Sequence, residues 1–270
     1  MTFLEKPLAF LWRDLLEESS YKFAFVMQLF GIFTSTLGLY FLSKLLGDAG
    51  VSYLEPYGGD YFSFVLIGIA FYSYLAVSMQ SLSGSIREGQ MFGTLEALLI
   101  TQTEITTIIL SSSLYSFVWA SLRVLAYLLL GIFAFGLNID GANIPGALLI
   151  LVLTIVSFSS LGIISASFIM VLKRGDPVSR IFTGLSSLFG GLYFPISVLP
   201  DWLQTISYLL PVTYALEAMR LSLLKGYTLT ELMPNILVLS IFAVATLPLS
   251  IAIFAYAIKR AKRDGTLTQY

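Results

Sequence analysis

From Phe23 to Ser43 the chain carries no charged residue. A helix needs about 20 apolar residues to cross the hydrocarbon core of a bilayer, so this run predicts a transmembrane helix. Five further runs share the property. The six expected spans are 22–46, 62–86, 109–135, 145–172, 181–199 and 233–258. The third is interrupted by Arg123. All six are continuously apolar rather than alternating, which excludes a strand barrel. Only 11% of the 270 residues are charged, against about 25% in soluble domains. The expected fold class is therefore an all-α integral membrane protein, with residues 1–270 forming one transmembrane domain.

Lysine and arginine set the expected orientation. With the N-terminus inside, the inner side collects Lys6, Arg13, Lys22, Arg87, Lys173, Arg174, Arg180, Lys259, Arg260, Lys262 and Arg263. The outer side holds Lys44, Arg220 and Lys225. Both termini are expected in the cytoplasm of a cell bounded by its inner or plasma membrane. Residues Phe3–Ser20 place Leu4, Leu8, Leu11, Trp12, Leu15 and Leu16 on one helical stripe, with charges elsewhere. They predict an interfacial helix. The mixed charges of that segment do not resemble a cleavable signal peptide.

Several chemistries lack their residues. There is no histidine and no cysteine, which removes the commonest general base and the commonest metal ligands. No catalytic or metal site is expected. A net charge of -1 argues against nucleic acid. No G-x-x-x-x-G-K-[ST] phosphate loop occurs, so the chain binds no ATP by that route and no cofactor is expected in it.

Between the second and third spans lies Arg87-Glu88-Gly89-Gln90-Met91-Phe92-Gly93-Thr94-Leu95-Glu96-Ala97-Leu98-Leu99-Ile100-Thr101. Leu95, Leu98 and Leu99 recur at helical spacing, which predicts a short amphipathic helix. By composition it is either a docking handle or a plain connector on the membrane surface. After the fifth run come two apolar stretches too short to span, Asp201–Leu210 and Pro211–Gly226, divided by Pro211. Composition leaves open whether they dip into the outer leaflet or lie upon it. Arg123 reads either as a cation lining a cavity or as a structural partner of a helix end. Glu217 and Arg220, three apart, read either as a local ion pair or as a polar plug.

Two motifs carry a resemblance. The handle, with its R-E and G-T-L-E-x-L-L-x-T, resembles the coupling-helix region of type-2 ABC exporter permeases, although Gln102 stands where they carry proline. Pro211-Val212-Thr213-Tyr214-Ala215-Leu216-Glu217-Ala218-Met219-Arg220 resembles the segment before their last span, and Tyr193-Phe194-Pro195 resembles their stretch after a double glycine.

The resemblance implies coupling to an ATPase through Arg87, Glu88, Gly89, Gly93, Thr94, Leu95, Glu96, Leu98 and Leu99. It implies an outer re-entrant hairpin before the last span, with Tyr193, Pro195, Pro211, Tyr214, Glu217 and Arg220 at the pathway or gate; Arg123, from its charge within a span, is a further pathway candidate. It further implies two ATPase subunits carrying ATP and magnesium, and a second permease copy. A small hydrophobic or amphiphilic cargo, or a lipid, fits the aromatic and hydroxyl content of the spans. A polysaccharide or lipid-linked glycan exporter is the alternative. A membrane-embedded lipid-modifying enzyme is the alternative from another class, and it lacks convergent acids or histidines. An ion-coupled transporter would want acidic residues within its spans.

Overall fold

A computed structural model describes residue 12 and residues 22–47, 51–91, 105–172 and 176–263. The described residues are mostly helical and contain no strand. Of the expected interfacial helix only Trp12 falls among them, helical and exposed; the rest of 3–20 lies outside. Among the described residues five helices are long and apolar enough to cross a membrane: α1 (Lys22–Leu46), α2 (Tyr61–Met91), α3 (Ile105–Phe135), α4 (Ile144–Leu172) and α8 (Met233–Arg263). Between α4 and α8 lie three shorter helices, α5 (Pro177–Phe189), α6 (Asp201–Leu209) and α7 (Pro211–Leu224).

The long helices form a row. α2 and α4 are the most buried and pack on each other; α3 covers α2, α8 covers α4, and α1 rests mainly on α3. In lipid no hydrophobic force drives helices together, so small residues that allow close approach hold them instead. A Cβ at Gly162 of α4 would stand 2.7 Å from the Ser78 carbonyl of α2. On the other flank of α4, the Ser160 hydroxyl meets that of Thr246 at 2.6 Å. The main core joins Leu66, Ile67 and Ala70 of α2 to Val124, Ile150, Ala218 and Met219.

Helix α4 and helix α8 run parallel. Ser157 and Ser160 meet Leu239 and Thr246, while Ile169 and Met170 share a cluster with Ala257 and Ala261. The chain leaving α4 at Leu172 must therefore travel back along it, and it does. Ser222, near the end of α7, accepts a hydrogen bond from the amide of Asn143, just before α4 begins, at 2.9 Å.

That return differs from the expected fifth span at 181–199. Its helix starts earlier, at Pro177, because Asp176 caps it and proline suits the first helical position. It stops at Phe189. Thirteen residues make about 20 Å of helix, short of the ~30 Å core. The break has local causes. Gly191 takes φ +75°, a left-handed conformation that favours glycine, and Pro195 is extended at φ -60°, ψ 145°. A single 3-10 turn, Ile196–Val198, precedes α6.

Candidate functional site

The break after α5 is held by one side chain. Arg220 of α7 is 2% exposed. Its Nε donates to the Phe64 carbonyl of α2 at 2.9 Å, Nη1 to Gly191 O at 2.8 Å and Nη2 to Leu192 O at 2.9 Å. The guanidinium also lies 3.5 Å from the centre of the Phe64 ring, an arrangement that favours a cation over an aromatic face. Gly68 makes room for it: a Cβ there would stand 2.3 Å from Nη2. Phe64 and Gly68 are one helical turn apart, so one face of α2 supplies the ring, the acceptor and the space. Leaving helical geometry at Gly191 and Leu192 frees carbonyls that must be satisfied within lipid, and Arg220 satisfies two of them.

This corrects the expected ion pair. Among the described residues Arg220 forms no salt bridge with Glu217; its donors go to backbone oxygens. Glu217 is half-buried nearby. Burial, and then the Glu217 carboxylate, pushes the hydroxyl of Tyr57 up to about 12. The Tyr57 ring lies 5.0 Å from that of Phe64, which extends the aromatic wall around Arg220.

The remaining expected gate residues gather at the same end. Tyr193 is 46% exposed, while Pro195 is buried. Pro211 is buried at the start of α7, which is covered along most of its length, Arg220 included. Tyr214 donates from its hydroxyl to the Tyr208 carbonyl at 2.9 Å, and the Thr213 hydroxyl donates to Ser207 O at 2.6 Å. These bonds fasten α6 to α7 across the Leu210–Pro211 corner. Helix α6 leaves Trp202, Tyr208 and Leu209 exposed.

At the opposite end Asp176, between α4 and α5, holds a second junction. Its carboxylate accepts from the Ser83 hydroxyl of α2 at 2.8 Å, the Ser165 hydroxyl of α4 and the Ser179 amide of α5 at 2.9 Å. Burial by itself would raise the carboxyl, but the hydrogen bonds from Ser165, Ser179 and Ser83 outweigh it and hold it below the ordinary carboxylate value. A charge beside a proline reads as an exposed turn. The two serine hydroxyls that face it are 11 and 93 residues away, and no local pattern reveals them.

The expected handle is described only at its beginning. Arg87, Glu88, Gly89 and Met91 continue α2 rather than opening a separate helix, and Arg87 is exposed. Gly93, Thr94, Leu95, Glu96, Leu98 and Leu99 lie outside the described residues.

Arg123 stands apart from both junctions. It lines a recess of about 150 Å³ between α1 and α3, together with Gln28, Leu29, Ile32, Trp119, Leu122 and Ala126. The Trp119 indole donates to the Gln28 side-chain oxygen at 2.8 Å. The Nε of Arg123 is buried and has no hydrogen-bond partner among the described residues.

Comparison with known proteins adds one finding. Residues 8–224 match the family described as ABC-2 type transporter. No curated protein matches the chain.

Proposed function

The chain belongs to the ABC-2 type transporter family, and from that premise we propose that it is the permease of an ATP-driven exporter, working as a dimer with two separate ATPase subunits. Membership in the family makes it a multi-pass membrane component of an ABC transporter. The match over residues 8–224 is the observation that carries the reading.

In this reading both termini lie in the cytoplasm, and the segment 87–101 docks on the ATPase. Helix α2 supports that role, since it runs unbroken for 31 residues, about 46 Å, into the start of that segment. Nucleotide-driven closure of the ATPases moves the two handles, and the spans follow as rigid bodies. A sixth passage is composite. It climbs from Asp176 beside Ser83, past Thr183, whose carbonyl accepts from the Tyr72 hydroxyl, to Leu192 beside Gly68. The α6–α7 hairpin closes the outer end, with Arg220 fixing its hinge. The cargo is hydrophobic or amphiphilic, a small molecule or a lipid. The finding that Arg220 is bound to backbone makes it a positioning residue rather than a charge presented to cargo.

Co-purification tests this. The chain should hold an ATP-binding-cassette ATPase whose hydrolysis rises with amphiphilic cargo. Reversing Glu88 and Glu96 to lysine should weaken that association or uncouple hydrolysis from transport, with membrane insertion intact. Normal transport by the double variant with a tightly bound ATPase would remove the handle from this reading.

A further inference from the structure

We propose that the recess between α1 and α3 binds an anionic group, a phosphate or carboxylate carried on an apolar chain, in the bilayer leaflet where α1 begins. Identifying that leaflet as the inner one rests on the orientation proposed above; the binding itself rests only on membrane placement.

Arg123 is nine residues into the candidate span Leu114–Phe135, about 13 Å along the helix. An arginine near mid-span costs a few kcal/mol unless compensated. Arg220 shows what compensation looks like here, with three carbonyls around one guanidinium. Arg123 has nothing comparable: its Nε is buried without a partner among the described residues. Helices α1 and α3 contain no aspartate or glutamate. In α2, which packs on α3, the sole acid is Glu88 in the last turn. Arg123 is thus half-buried beside a cavity, and among the described residues α1, α3 and the adjoining part of α2 supply it no counterion.

The other polar groups of the recess narrow the ligand. The Gln28 oxygen accepts from the Trp119 indole, which leaves the Gln28 amide group as a donor. Two donors, one of them cationic, call for an acceptor with negative charge. The volume of about 150 Å³ is several times the roughly 10–15 Å³ that one water needs. That has room for a phosphate or carboxylate group. A chain leaving the recess meets apolar side chains at once: Met27, Phe30 and Leu122 are each more than two-fifths exposed.

Trp119 provides the readout. With Trp12 and Trp202 replaced by phenylalanine it is the sole tryptophan. The full chain is reconstituted in phosphatidylcholine vesicles containing a minor fraction of brominated lipid, either phosphatidylglycerol or phosphatidylcholine. Brominated phosphatidylglycerol should occupy the site about fivefold more strongly than brominated phosphatidylcholine, the preference expected of one cation facing one anion. R123Q should abolish the preference, R123K should keep most of it, and Q28L should reduce it. Added dodecyl phosphate identifies the source. Relief of quenching assigns the site to an exchangeable amphiphile, and unrelieved quenching to a resident bilayer lipid; both uphold an anion site. Equal quenching by the two lipids, or a preference that persists in R123Q and Q28L, overturns the proposal. Neither of these outcomes bears on ATPase coupling, and failure to couple would leave the quenching unchanged.

Discussion

Arg220 grips Phe64 twice, lying 3.5 Å from its ring centre and donating from Nε to its carbonyl at 2.9 Å. These residues are 156 positions apart. Their meeting joins the first turn of α2 to the helix that precedes α8, and the other two guanidinium nitrogens bring the broken end of α5 to the same point.

Removing the guanidinium should therefore unfasten three elements together. R220A leaves three carbonyls without their donors, and we expect a loss of about 3 kcal/mol or more, read as a lowered melting temperature of the purified chain in detergent. R220K should fall between, since an ammonium lacks the planar fork. G68A should cost about 1–3 kcal/mol through overpacking against Nη2. The double variant G68A/R220A should lose less than the sum, because the new methyl no longer meets the guanidinium. Strict additivity would contradict the shared site.

Asp176 makes stability depend on pH in a defined direction. Its folded carboxyl is held below the ordinary value, so it stays ionised to a lower pH than in the unfolded chain. The stabilisation is fully present above about pH 4, the unfolded range, and is lost as pH falls through the lower folded value. D176N should melt earlier at pH 7 by about 1–3 kcal/mol, and the gap to the native chain should narrow on acidification below pH 4. A gap that does not change between pH 7 and pH 3 would remove the ionised carboxylate from the account.

Orientation can be read directly because the chain has no cysteine. Ser52 and Asp140 are exposed at one end of the bundle, and Arg180 and Arg263 are exposed at the other. S52C and D140C should react with an impermeant maleimide from outside intact cells. R180C and R263C should react only after permeabilisation. The opposite pattern would invert the proposed topology.

Hydropathy located the long helices well. The ends of α1 are those expected, and α4 differs by one residue at its start. It did not locate helix ends outside the apolar zone. Residues 87–91, which include Arg87, Glu88 and Gln90, are still helical, because water permits a helix to continue as readily as a loop to begin. The fifth run misled for a different reason: its apolar content is continuous through Leu199, whereas the backbone breaks at Gly190–Gly191. Arg220 was legible as important and illegible in its partners. Spacing rules see neighbours on one helix, such as Glu217, and carry nothing about a carbonyl on another. Asp176 and the Gln28–Trp119 bond were missed likewise, since each joins segments distant in sequence.

The unbroken course of α2 has a mechanical consequence. Ser83, tied to Asp176, and Phe64 and Gly68, gripped around Arg220, ride on one rod that also ends at Met91. A helix resists bending over such a length, so it acts as a lever whose two ends cannot shift independently. Tilting a rod of about 46 Å by about 5° displaces one end by roughly 4 Å relative to the other. That exceeds the tolerance of a hydrogen bond several times over. Any torque applied near Met91 must then either strain the Arg220 clasp or carry the end of α5 and helix α7 with it.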